Sequence, residues 1–414
     1  MVEAAPRPFD RVRVEEILRS ALSVGASDLH FKDGERILLR IRGDLRALDV
    51  PRLTPAQTQA IFESIRPARL ASLDVESLRE IDFSFAVPGT ARFRANAFRQ
   101  RGSLALVVRV IPMQIPDLHD LGLPEVVADL AGEERGIVLV TGATGSGKST
   151  TLAAMIKHIN RTKSAHVITI EDPIEFLFLN ERSSIVQREV GNDTDGFAGA
   201  LRAALRQDPD VIMIGEMRDA ETMDIALKAA ETGHLVFSTA HTTDAAKTVH
   251  RLVGAAPPSE QGMLRLRLSE ALRAVISMRL LPRADGQGLV PAIEVMLNTR
   301  LVQDVIRRPE RQSELTEIIS KGGHYGMRSF DQDLYRLVRE GTITRDVALT
   351  AATSPGDLEL QLRLGGGEEE AIELAERPPS YSDELAEIDP SLRITEAEAA
   401  DIALASEKPD PPEA

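Results

Sequence analysis

Eight consecutive residues, Gly142, Ala143, Thr144, Gly145, Ser146, Gly147, Lys148 and Ser149, restrict the fold more than anything else in this 414-residue chain. They match G-x-x-x-x-G-K-[ST], a pattern that arises by chance in roughly one chain in a hundred of this length. Ile137-Val-Leu-Val-Thr141 before the loop reads as a buried strand, and the stretch from Thr150 to Lys157 after it reads as a helix. That order is what phosphate binding requires. Glycines let backbone N–H groups turn inward around phosphate oxygens, and the helix N-terminus adds its positive dipole. Lys148 is expected to neutralise the β- and γ-phosphates and Ser149 to offer its hydroxyl to Mg²⁺, so ATP and Mg²⁺ are the expected ligands of the run from Gly142 to Thr150.

Such a loop belongs to an open sheet whose chemistry gathers beyond the carboxyl ends of its strands. Three further strand patterns end in polar residues. His166-Val-Ile-Thr-Ile runs into Glu171, Asp172 and Glu175; Asp210-Val-Ile-Met-Ile runs through Gly215 into Glu216; Leu235-Val-Phe-Ser-Thr-Ala runs into His241. The second resembles a Walker B strand, whose carboxylate orders Mg²⁺ or polarises the attacking water. His234 follows Gly233, which ends the helix expected over Ala220 to Thr232. Each histidine can sense the γ-phosphate or bridge neighbouring subunits, and a structural hydrogen-bonding role is the plainer reading of both.

Along the chain, residues 1–110 open with an amphipathic helix (Val14, Ile17, Leu18, Ala21, Leu22) and continue in alternating segments such as Ile37–Arg42 and Phe93–Phe98, which have strand period. Residues 111–124 are Pro-rich and read as a linker. From 125 to 364 the pattern is apolar strand, loop, helix, repeated, which predicts a mostly parallel sheet covered by helices. Residues 365–414 hold 15 Asp or Glu against 3 Lys or Arg, a balance of −12 out of a total of −15, so the rest is nearly neutral at −3. A segment this acidic and poor in large apolar residues is expected to be a disordered tail.

Composition excludes several alternatives. There is no cysteine, hence no disulfide or thiolate zinc site. The start, MVEAAPRPFDRVRVEE, lacks a signal-peptide core, and no stretch reaches the roughly 18 apolar residues of a membrane helix, so a cytoplasmic protein is expected. With 4% aromatic residues, no Trp and no clustered Lys/Arg stripe, nucleic acid is not an expected partner.

Four blocks resemble the secretion ATPases of type II secretion and type IV pili: the phosphate loop; Ile170-Glu-Asp-Pro-Ile-Glu175, like an Asp box; the run Leu205 to Asp219; and Ala230 to Thr243, like a His box. Ala26-Ser-Asp-Leu-His30 and Arg92 to Arg101 look like that family's N-terminal domain, so the likeness spans about residues 10–364. It implies a homohexamer of two-domain subunits, each with a PAS-like α+β domain and a RecA-like P-loop domain. Within it Glu216 would be the catalytic carboxylate, Glu175 an acidic partner for Mg²⁺ or water, and His234 and His241 the His-box residues. Arg94 and Arg109 match arginines that the family brings onto nucleotide phosphates. The implied partners are an inner-membrane platform protein and a paralogous pilus ATPase, with peripheral attachment to the cytoplasmic face of that membrane.

The absence of a tetracysteine module and of a long N-terminal extension places the likeness on the retraction, or twitching-motility, branch, which Gly326-Met-Arg-Ser-Phe-Asp-Gln-Asp-Leu334 also resembles. Where that branch carries an AIRxLIRE segment, this chain has Leu301-Val-Gln-Asp-Val-Ile-Arg-Arg308. That departure, with the acidic tail, makes an accessory or regulatory ring subunit the alternative, followed by an assembly or type II secretion ATPase.

Overall fold

The computed structural model describes residues 9–364 apart from 42, 112, 113 and 218. The expected disordered tail therefore lies outside the described residues. Two compact units divide at Met113.

The first unit is an antiparallel α+β layer. Its strands are β1 (Ala26–Phe31), β2 (Leu38–Ile41), β3 (Asp44–Ala47), β4 (Glu80–Val87), β5 (Ala91–Gln100) and β6 (Ser103–Ile111), in the order β3-β2-β1-β6-β5-β4. Period-two alternation explains why they form one half-buried sheet. In β5, Ala91, Phe93, Ala95 and Ala97 are buried while Arg92, Arg94 and Asn96 are only partly so. The buried face joins Leu29, Phe31, Leu106 and Val108 with the apolar sides of two helices, Arg11–Ser23 and Pro55–Ile65. Both helices start on side-chain caps: Asp10 accepts from Arg13 N, and Thr54 forms a capping box with Gln57. Leu22, expected on the first helix's apolar stripe, is only partly buried.

The second unit is a seven-stranded sheet between helices. Its strands are β7 (Gly136–Gly142), β8 (His166–Glu171), β9 (Ser184–Glu189), β10 (Val211–Ile214), β11 (Leu235–Ala240), β12 (Leu272–Pro282) and β13 (Leu289–Leu297), ordered β13-β12-β7-β11-β10-β8-β9. Every neighbouring pair is parallel except β12 with β13. Strands buried on both faces read as continuous apolar runs. Thus Ile137 and Leu139 of β7 enter one core while Val138 and Val140 enter the other. The C-terminal helices Phe330–Arg339, Arg345–Ala351 and Pro355–Leu364 build a smaller core with Leu281, Val290 and Ala292.

Residues 114–124 contain no helix or strand, and they are tied down. Lys157, on the helix Lys148–Thr162, donates from Nζ to the Ile115 carbonyl (2.5 Å) and pairs with Asp117 (2.9 Å), and Arg161 pairs with the same carboxylate (2.7 Å).

Candidate active site

The phosphate loop leaves β7 at Gly142 and enters the helix Lys148–Thr162 at Gly147. Gly142 has φ +146°, and a Cβ there would meet Ser146 Oγ at 2.4 Å and the Met278 carbonyl of β12 at 2.5 Å. Only glycine fits. Gly147, at φ +95°, stands at the N-cap without any side-chain cap, leaving the first-turn N–H groups for a ligand. Lys148 is 8% exposed and donates from Nζ to the carbonyls of Gly142 (2.9 Å) and Ala143 (2.8 Å). Burial lowers its pKa, against the pull of the Glu175 and Glu216 charges. Ser146 Oγ is buried without a hydrogen-bond partner. A buried ammonium that has only loop carbonyls, beside an orphaned hydroxyl and an uncapped helix start, suits a polyanion.

The loop opens into a cleft of about 480 Å³ lined from the carboxyl ends of five neighbouring strands. Glu216 follows β10 by two residues, its Oε2 3.6 Å from His241 Nε2 at the end of β11. The backbone under Glu216 is clamped on both sides: Gly215 N donates to Ile170 O (2.8 Å), and Thr239 Oγ1 donates to Gly215 O (2.6 Å). Glu171, the last residue of β8, and Glu175 beyond it face the same cleft. Burial pushes the Glu171 carboxyl up, partly offset by hydrogen bonds from Thr169 Oγ1 (2.6 Å) and Gln187 Nε2 (3.1 Å). One hydroxyl, Ser149, and two carboxylates, Glu175 and Glu216, form a donor set that suits a hard cation which keeps much of its own water.

Of the residues expected at the site, Thr144, Gly145, Gly147, Lys148, Ser149, Thr150, Glu175, Glu216 and His241 line this cleft. His234 does not. It precedes β11, at the opposite end of the sheet from His241, where its Nδ1 meets Ala229 O (2.8 Å) and Thr232 Oγ1 (3.1 Å). There it makes the hydrogen bonds of a residue that follows a helix end. Arg94 and Arg109 belong to the first unit, directly opposite each other on β5 and β6; Arg94 lies 3.8 Å from Asp82 and Arg109 2.8 Å from Asp28.

Sequence reasoning missed the apolar wall of Phe176, Phe178 and Phe197, and Leu280 with Met278 beneath the loop. Phe176 adjoins Glu175 and could have been inferred. Leu280 lies on a strand more than a hundred residues downstream of the loop, and no local pattern connects the two.

A mostly parallel sheet with this loop on β7 and carboxylates at the ends of β8 and β10 defines a RecA-like P-loop nucleoside triphosphatase. A family model described as Type II/IV secretion system protein matches residues 5–307. The chain belongs to that family, and it is an ATPase. It is 46% identical over 342 residues to the type IV pilus retraction ATPase PilT of Pseudomonas aeruginosa, covering 83% of this chain and 98% of that protein. To the type IV pilus ATPase PilU of the same organism it is 40% identical over 379 residues, 92% of this chain and 98% of the other. A crystal structure of the pilus retraction motor PilT with bound ADP superposes with a TM-score of 0.77 at 47% identity, covering 83% of this chain and 98% of that one.

Proposed function

We propose that this protein is the ATP-driven motor of a type IV pilus machine, working as a homohexamer that powers pilus retraction. The observation that carries the reading is the match to PilT over 98% of that protein's length, joined to a complete phosphate loop and Walker B carboxylate. The run from Gly142 to Thr150 wraps the phosphates, and Lys148 exchanges its loop carbonyls for β- and γ-phosphate oxygens. Mg²⁺, held by Ser149 and through water by Glu175 and Glu216, would neutralise phosphate charge. Glu216 then accepts the proton of the attacking water, and His241 fixes the orientation of that carboxylate. Arg94 and Arg109 would meet the charge that develops on the γ-phosphate. His234 acts by holding the turn into β11 rather than by touching nucleotide.

An inner-membrane platform protein is the expected receiver of the work, with the ring attached peripherally at the cytoplasmic face. Among the described residues no helix is long and apolar enough to cross a membrane. The PilU match extends over 92% of this chain, which favours an accessory motor acting beside a paralogous ATPase as the second reading. Gene deletion followed by imaging of pili decides between them. Many surface pili without twitching are expected. Bald cells would overturn retraction in favour of assembly, and a defect seen only under load would assign the accessory role.

A further inference from the structure

The face of the first sheet that turns away from its core carries an ordered row of charge. Register aligns Ser84, Arg94, Arg109, Asp28 and Arg40 across β4, β5, β6, β1 and β2. Two arginines directly opposite on adjacent strands repel, and such a pair costs stability unless an anion bridges it. Each is flanked by one carboxylate, but not equivalently. Arg94 reaches Asp82 at 3.8 Å, and the Asp82 side chain is 58% exposed, whereas Arg109 Nε donates to Asp28 Oδ1 at 2.8 Å and the Asp28 side chain is 7% exposed. The Arg109 side chain is itself 69% exposed.

We propose that Asp28 is the positioning residue for Arg109: a buried carboxylate that fixes the guanidinium by its Nε edge and leaves the Nη edge aimed outward for a phosphate oxygen. The inference rests on the reading of Arg109 as a phosphate-contacting residue. An arginine is planar with five donors, so holding Nε sets the plane and direction of the remaining four. Pre-set in this way, the side chain does not lose its rotamer freedom at the moment of reaction. Asp28 is in turn fixed by Ser27 Oγ, which donates to Oδ2 at 2.8 Å. Burial alone would raise the Asp28 carboxyl, but hydrogen bonds from Arg109 and Ser27 hold it below the usual carboxylate range, so it stays charged at neutral pH. Lysine could not replace Arg109 here, because one ammonium cannot both bind Asp28 and present a directed fork.

The test is a double-mutant cycle of Asp28→Asn and Arg109→Ala in the full-length protein, read as steady-state kcat and KM for MgATP with melting temperature as a check. Asp28→Asn keeps the side-chain size and is expected to lower kcat about 10-fold with KM changed less than about 2-fold, as loss of transition-state orientation predicts. In the Arg109→Ala background the same change is expected to alter kcat less than about 2-fold. A wild-type kcat in Asp28→Asn, or an equal fall in both backgrounds, overturns the positioning role. A wild-type kcat in Arg109→Ala instead overturns the underlying reading of the arginine. If Asp28→Asn does not fold, Asp28→Glu, which keeps the charge and displaces it by one methylene, runs the same cycle with the same outcomes.

Discussion

At the scale of single residues, charge and burial separate the roles around the nucleotide. Lys148→Ala removes charge needed for phosphate binding as well as for catalysis, whereas Glu216→Gln leaves the phosphate loop intact. Both variants should lose turnover, but only Lys148→Ala should lose affinity for a fluorescent ATP analogue; equal affinities would contradict the assignment. Arg94→Ala and Arg109→Ala should each lower kcat by roughly 10³-fold, the usual worth of such an arginine, with native melting behaviour. Near wild-type rates in both would return them to the surface. Away from the cleft, Glu294 of β13 accepts from Ala245 N (2.8 Å), and burial pushes its carboxyl from 4.5 up to about 7. The Asp244 charge adds to that rise, while the Ala245 and Phe330 N–H groups and Arg279 oppose it. A carboxyl that binds its proton more tightly when folded stabilises the fold fully below the unfolded value and loses that contribution as pH rises through the folded one. The loss is on the order of 3 kcal/mol. Glu294→Gln should therefore gain stability relative to wild type as pH rises from about 4.5 to about 7, measured by urea unfolding, and a constant difference across that range would refute the assignment.

Elements explain how much was legible in advance. β7, β8, β10 and β11 were readable because strands buried on both faces are unbroken apolar runs, and the loop after β7 was readable because glycine at Gly142 and Gly147 answers a local backbone demand. Gly142→Ala should destabilise by about 1–3 kcal/mol and abolish nucleotide binding, because the Met278 carbonyl at 2.5 Å is backbone and cannot swing aside. Unchanged melting and binding would show that the loop can shift. What escaped the sequence was pairing at long range. Neither the place of β12 beside β7 nor the row through Arg94, Arg109 and Asp28 leaves a mark in any local window, since register is a property of two strands. The distance of His234 from the cleft is hidden for the same reason. Seven residues from His241 along the chain, His234 is separated from it by the whole length of β11.

For the whole molecule, the charge distribution sets an expectation that the folded units do not need residues 365–414. That segment holds a balance of −12 and few large apolar residues, so its removal should leave the ATPase rate and the number of subunits per ring, counted by mass photometry, unchanged. A fall in either would assign it a structural contact. Residues 114–124, at the start of the second unit, have a different consequence, which concerns salt. Besides the packing of Leu118 and Leu123 against the core, three polar contacts hold them: Asp117 with Lys157 and with Arg161 are ion pairs on a partly exposed carboxylate, and the third is a bond to the Ile115 carbonyl. Mobile ions screen the first two, over a Debye length of about 8 Å at physiological strength and about 3 Å at 1 M, and act far less on the third. Ionic strength is thus a dial on how firmly residues 114–124 are held to the end of the helix Lys148–Thr162, while the phosphate loop at the start of the same helix stays as it is.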